Sequence, residues 1–275
     1  MKISFTNGGV LISETKDFDV ARSCECGQCF RFYEKDGDYV GVVQNKAVTL
    51  SPRADGCFIP DVSKEDFEAI LRPYFDLDRD YDAIVSEITE NDDVMQSACL
   101  YGRGIRLFRQ DTWETLISFI ISQNNNIPRI KGIISRLCSL YGSDMGNGLY
   151  TFPTPKQMQN LTVDDLAPLR AGFRAKYIID AVKKVNGGEV DLKALPLISY
   201  PEAKASLMKI CGVGPKVADC VLLFGASHLE AFPVDVWIKR ALETLYPKRE
   251  NTDFGRYGGI AQQYLFVYAR EQIKL

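Results

Sequence analysis

The stretch "LMKICGVGPKVADCVLLFG", residues 207 to 225, sets two glycines and a proline between two apolar segments. Apolar positions recur at three and four on either side, which predicts two helices joined by a tight hairpin. Pro215 suits the first position of the second helix, where no N–H is needed and its fixed φ fits. A P-loop is excluded, because it needs Gly-x-x-x-x-Gly-Lys-Ser/Thr after a strand. Here the lysine follows proline, precedes valine and comes after a helix. The small residues Gly212, Val213 and Gly214 would let a phosphate reach backbone N–H groups at the turn and helix start. Such a contact positions a nucleic acid without reading a base. Lys216 is the oddity, since it falls in the first turn of a helix, where the macrodipole disfavours a cation. A solvated lysine whose stem covers apolar surface would explain it, and so would a functional amine.

The rest of the composition narrows the chemistry. The chain has 275 residues, 46% apolar and 25% charged, room for one large domain or two ordinary ones. No apolar run approaches the ~20 residues of a membrane span, and "MKISFTNGGVLI" at the start lacks the features of a signal peptide. The expectation is a cytoplasmic protein, nucleoid-associated if prokaryotic. Its eight cysteines then read as reduced thiols. In "CECGQC", Cys24, Cys26 and Cys29 are spaced irregularly, and no paired Cys-x-x-Cys or His-x-x-x-His completes a zinc site. They are read as small buried hydrophobes, with a metal as the minority alternative. The single histidine, His228, nearly excludes Ser-His-Asp, Cys-His and multi-histidine metal chemistry. Catalysis must rest on carboxylates, lysines, a thiol or the backbone.

Net charge is −3, but it divides unevenly. Residues 1–93 hold 10 Lys+Arg against 20 Asp+Glu, and residues 94–275 hold the remaining 23 against 16, so −10 is followed by +7. Asymmetry of this kind points to a polyanion-binding segment or simply to an acidic, well-solvated first domain. The first fifty residues read as β: "FRFYEKDGDYVGVV" alternates around an Asp36-Gly37 hairpin pair, and "NKAVTLSP" follows as a strand. Helical periodicity begins near residue 63 and dominates beyond 93, with Gly142 and Gly225 placed as helix stops. The pattern predicts an α+β chain, an antiparallel sheet domain over 1–93 and a helical domain over 94–275.

The hairpin, followed by "PVDVW", resembles the helix-hairpin-helix DNA glycosylases that carry a catalytic lysine and aspartate, and more closely the 8-oxoguanine DNA glycosylase family. "GQCFRF" (27–32), "SQNNNIPRI" (122–130), "GFRAKYI" (172–178), "GVGPKVADC" (212–220), "PVDVW" (233–237) and "GGIAQQYLF" (258–266) match in order and span most of the chain. The resemblance implies an N-terminal sheet domain like that of the TATA-binding protein, followed by an all-α helix-hairpin-helix glycosylase domain. It implies removal of 8-oxoguanine, preferentially opposite cytosine, from double-stranded DNA by base flipping, then β-elimination through a Schiff base. It also gives Lys216 a use: in the family the lysine attacks C1′ of the damaged nucleoside as a neutral amine. A lysine ordinarily holds its proton to about pH 10.4, so freeing the amine near pH 7 costs roughly 4 kcal/mol. A helix N-terminus supplies at most ~2 kcal/mol of that, and desolvation or a neighbouring cation must supply the remainder.

The resemblance extends residue by residue. Asp235, most simply a helix N-cap, would also stabilise positive charge at the sugar. Lys216, Cys220 and Phe224 fall at i, i+4 and i+8, one helix face. Cys220 would lie against one side of the extruded base and Phe266 would stack on the other, while Gln262 would bond its Watson–Crick edge. Extrusion itself is physically required, since C1′ chemistry on a stacked base is obstructed. Ordinary helix core explains Cys220 and Phe266 equally well from the residues alone. The carbonyl of Gly27 would accept the N7–H that oxidised guanine has and guanine lacks; the alternative is a glycine at a strand kink. Asn124, Arg129 and Arg174 match residues holding the unpaired cytosine, and Phe173 matches the wedge that fills the emptied stack. For the arginines, phosphate contact or surface solvation competes. Phe173 replaces tyrosine, Phe224 replaces methionine, and Trp237 stands where a phosphate-contacting histidine is common in eukaryotic members.

No organic cofactor is implied, although a monovalent cation held by backbone carbonyls at the hairpin is compatible with the motif. The last cysteine is Cys220, so the four-cysteine iron–sulfur cluster of some relatives is not expected. The expected partner is duplex DNA containing 8-oxoguanine, bound by a monomer, with no membrane role. The nearest rival is an alkylbase glycosylase of the same architecture, which generally lacks the lysine. A non-catalytic hairpin module is the rival of another class.

Overall fold

The computed structural model describes residues 1–247 and 254–273. Six strands, β1 (Lys2–Thr6), β2 (Gly9–Ser13), β3 (Tyr33–Lys35), β4 (Asp38–Val43), β5 (Lys46–Arg53) and β6 (Gly56–Pro60), form an antiparallel sheet in the order β1-β2-β6-β5-β4-β3. Asp36 and Gly37 both take positive φ, 54° and 87°, and Lys35 pairs with Asp38 across them. That is the mirror-image turn whose twist matches the strands it joins. Not all of the first fifty residues are β. Between β2 and β3 lies α1 (Val20–Glu25), capped by the Asp19 side chain. One sheet face, with Val10, Ile12, Leu50 and Ile59 fully buried, packs on α1, a π-helical stretch (Phe67–Leu71) that continues α2 (Lys64–Asp66), and α3 (Arg72–Tyr74).

Helices α4 (Tyr81–Ile88), α5 (Asp93–Tyr101), α6 (Thr112–Ser122), α7 (Ile127–Tyr141), α8 (Arg174–Asn186), α9 (Tyr200–Leu207), α10 (Pro215–Gly225), α11 (Val236–Leu245) and α12 (Gly258–Gln272) make the second layer. A short hairpin, β7 (Asp144–Gly146) and β8 (Leu149–Tyr150), interrupts them. Helices α6 and α10 are apolar nearly all round, with eight residues of each buried, and they pack together at the centre of the helical core. The two cores interlock. Phe108, beyond α5, packs into the β core, whereas Cys26 and Phe30, ahead of β3, pack into the helical one.

Gly142 and Gly225 do end helices, but not through a left-handed C-cap. Gly142 has φ −82°, and a Cβ there would lie 2.0 Å from the Thr151 carbonyl oxygen. Gly225 is the last residue of α10, where a Cβ would stand 3.0 Å from Thr112 Cα. Close approach of another segment selects glycine at both places.

Candidate active site

The hairpin of residues 208–214 is held from several sides. Gly212 has φ 79°, and a Cβ would lie 2.4 Å from the Tyr177 ring, so both backbone and space demand glycine. The Cys211 N–H donates to Asp180 Oδ2 at 2.6 Å. Behind the turn, buried Asp219 on α10 accepts from the Tyr200 hydroxyl at 2.7 Å and from Lys204 Nζ at 2.8 Å, tying α9 to α10. Val213 spends its N–H on the Ile210 carbonyl at 3.0 Å. Among the described residues Gly212 and Gly214 donate theirs to nothing, and the space in front of Gly214 is open. Of the three residues expected to meet a phosphate, the two glycines therefore offer the free donors.

Gly214 caps α10 and Pro215 opens it, which places Lys216 in the first turn as the sequence required. Lys216, Cys220 and Phe224 line a cleft of about 50 Å³ together with Gly27, Asp235, Gln262 and Phe266. All seven residues linked by resemblance to the chemistry or the base thus meet in one place. Cys26, Phe119, Pro233 and Gln263 complete the lining, and sequence reading did not assign them to it. Volume alone would have chosen elsewhere: a cleft beside Trp113, Val185 and Pro196 holds about 580 Å³ and one between α4, α5 and α12 about 260 Å³, and in the latter Arg103 is paired with both Asp17 and Asp82.

Asp235 is the N-cap of α11, its Oδ1 accepting from the N–H groups of Trp237 at 3.0 Å and Ile238 at 2.9 Å. Both cap bonds fall on one oxygen, which leaves Oδ2 for the cleft. Cap and cleft-facing carboxylate are the same group. Lys216 Nζ stands 5.1 Å from the centre of the Phe119 ring, which stacks on Phe224 at 5.5 Å and 13°. Burial pushes the Cys220 thiol up to about 11 even though Lys216 beside it pulls the other way, so the sulfur is a neutral thiol. Gln262 Oε1 is buried and has no hydrogen-bond partner among the described residues. Leaving such an acceptor unpaired costs on the order of 1–3 kcal/mol, so a ligand donor would recover that energy.

Gly27 takes φ 81°, and a Cβ there would meet the Phe266 ring at 3.6 Å. Its neighbours are clamped. Gln28 Nε2 donates to the Ser23 and Arg106 carbonyls, both at 2.8 Å, and Gln28 Oε1 accepts the Phe108 N–H at 2.8 Å. From α12, Gln263 Nε2 donates to the Cys26 carbonyl at 2.8 Å. Gln28 and Gln263 position the Gly27 loop, and their signal in the sequence was only that each adjoins a named residue. Cys24, Cys26 and Cys29 are buried free thiols.

The residues expected to face the opposite strand form a second group. Asn124 is exposed with φ 47°, and Arg129 is exposed with Nη2 3.4 Å from the Arg170 carbonyl. Phe173 is 49% exposed. Arg174 is only 2% exposed: it donates to the carbonyls of Ala171 (3.2 Å), Gln123 (Nε, 2.9 Å) and Asn124 (2.8 Å), with its guanidinium carbon 4.4 Å from the Phe173 ring centre. In the DNA-free chain Arg174 is spent on the loop that carries Asn124. Ile127, where that loop enters α7, reaches the neighbourhood of Gly27, so the two groups adjoin.

Comparison with known proteins agrees with this geometry. Residues 10–116 match the model of the 8-oxoguanine DNA glycosylase N-terminal domain, and residues 117–254 match that of the HhH-GPD superfamily base excision DNA repair proteins. The N-glycosylase/DNA lyase OGG1 of Arabidopsis thaliana is 30% identical over 88% of this chain and 74% of its own. Two further curated relatives, from Methanothermobacter thermautotrophicus and Saccharomyces cerevisiae, are matched over 64% and 44% of their own lengths, less than two thirds. Among solved structures, MBOgg1 with a low-affinity DNA ligand superposes with TM-score 0.92 at 44% identity, over 99% of each chain. The 8-oxoguanine glycosylase/lyase of Clostridium acetobutylicum, bound to duplex DNA with cytosine opposite 8-oxoG, gives 0.91 at 36% identity over 98% of each. The chain belongs to the HhH-GPD superfamily of base excision DNA repair proteins, within its 8-oxoguanine DNA glycosylase family.

Proposed function

We propose that this protein excises 8-oxoguanine lying opposite cytosine in duplex DNA and then cleaves the resulting abasic site. The observation that carries the reading is a buried acceptor without a donor, Gln262 Oε1, in the same cleft as Lys216 and a carboxylate held at a helix start. The Lys216 amine attacks C1′, the bond from C1′ to the base breaks, and the electron pair leaves with the base, which takes up a proton. The amine nitrogen loses a proton, the sugar ring opens to a Schiff base, and loss of a C2′ proton expels the 3′ phosphate. Asp235 Oδ2 offsets positive charge at the sugar. Cys220 and Phe266 sandwich the base, Phe224 lies deeper along the same face of α10, and the Gly27 carbonyl accepts N7–H. An acceptor meets repulsion from the N7 lone pair of ordinary guanine, so one contact discriminates the two.

The cleft holds about 50 Å³, and half-buried Lys216 and Phe266 have room to yield as a base enters. Asn124, Arg129 and Arg174 serve the cytosine, Phe173 fills the stack, and the free N–H groups of Gly212 and Gly214 hold a phosphate. The enzyme acts as a monomer without an organic cofactor. The test is a labelled duplex with 8-oxoguanine opposite cytosine, incubated with borohydride. Wild type is expected to form a covalent adduct and a cleaved strand, and Lys216→Gln neither. Equal adduct from both proteins would overturn the reading.

A further inference from the structure

We propose that Phe119 is a parking site for the Lys216 ammonium and sets the pH at which the attacking amine becomes available. The inference rests on Lys216 being the nucleophile. Phe119 comes from α6, outside the hairpin and outside every stretch that carries residues assigned to the chemistry. It lines the cleft with its ring 5.1 Å from Nζ. The ring does not move freely, being stacked on Phe224 at 5.5 Å and met edge-on by Phe30 at 5.7 Å. Phe224 backs the parking ring with a second ring.

An ammonium over a π face is stabilised as a cation, and the neutral amine gains no such attraction. The groups facing Lys216 are few. Cys220 on α10 is a neutral thiol, pushed up to about 11 by burial. The stretch after α1 offers the buried Cys26 thiol, pushed up to about 12 by burial, and α12 offers uncharged Gln262, Gln263 and Phe266. Asp235, at the start of α11, is the one carboxylate among the described lining residues, and it too favours the cation. Asp219, on the far side of α10, is engaged by Lys204 and Tyr200. Ring and carboxylate both attract an ammonium in this cleft, and a flipped base that lifts Nζ off the ring removes one of the two.

The experiment is single-turnover borohydride trapping on an 8-oxoguanine duplex across pH 5 to 9, with wild type, Phe119→Leu, Phe119→Met and Phe119→Tyr. Leucine and methionine remove the ring but fill the space, whereas tyrosine keeps the ring. The midpoint of the trapping profile is expected about half a pH unit lower for both ringless variants and unchanged for tyrosine. Thermal melts identify any variant that does not fold, and either ringless variant suffices. Ringless profiles that superpose on wild type in midpoint, whatever their plateau, overturn the parking role and leave Phe119 a packing residue. Absence of a wild-type adduct would instead overturn the assignment of Lys216.

Discussion

The two halves of the DNA-facing surface are built differently. The base cleft is made by packed elements: three residues of one face of α10, the cap of α11, a helix-facing side of α12 and a clamped glycine loop. The opposite-strand group sits on loop ends, with Asn124, Arg129 and Phe173 exposed and Arg174 turned inward onto carbonyls. A lesion differs from guanine by little, so its recognition needs groups held within fractions of an ångström, and packed helices supply that. A strand opposite the lesion arrives with the DNA, and loops can wait for it.

The largest effect that would break this contrast lies in the cleft. Lys216→Gln should lower excision and lyase rates at least ~10³-fold, since no second amine lines the cleft among the described residues, measured on a single-turnover gel. Asp235→Asn keeps a cap acceptor, so its melting temperature should stay near wild type while excision falls on the order of 10²-fold or more. A parallel loss of stability and activity would leave Asp235 a cap only. Gly27→Ala forces a side chain into left-handed backbone, at a cost of ~1–2 kcal/mol, with its methyl in van der Waals contact with Phe266. Preference for 8-oxoguanine over guanine should fall roughly tenfold, read as a ratio of excision rates on the two duplexes.

On the other side, smaller effects sharpen the comparison. Arg174→Ala removes hydrogen bonds to the Ala171, Gln123 and Asn124 carbonyls and should destabilise by about 2–3 kcal/mol, while flattening the preference for cytosine opposite the lesion. Phe173→Ala, at a half-exposed site, should change stability by no more than ~0.5 kcal/mol. Duplex binding should still weaken several-fold if the ring fills the emptied stack, measured by fluorescence anisotropy. A Phe173 variant as unstable as the Arg174 variant would show the exposed ring to be held as firmly as the buried guanidinium.

Much of this molecule was legible in residue order because it depends on local stereochemistry. Two successive residues tolerant of positive φ turn at Asp36-Gly37, a proline after a glycine starts α10, and an aspartate caps α11; the lysine and aspartate proposed to carry the chemistry sit on those two helix starts. Spacing along α10 likewise places Lys216, Cys220 and Phe224 on one face. What residue order left open depends on distant segments meeting. Gly142 and Gly225 read as left-handed stops, but Thr151 and Thr112 are what exclude a Cβ there. Phe119 carries no signal of its own in residue order, and only the approach of α10 sets it under an ammonium. Arg174 reads as a match to a cytosine-holding residue, with phosphate contact or solvation as the alternative, and only the proximity of the Gln123–Asn124 carbonyls turns it inward. Periodicity and φ preferences act within a turn or two of chain, whereas these contacts join residues far apart in sequence, so the tertiary structure alone decided them.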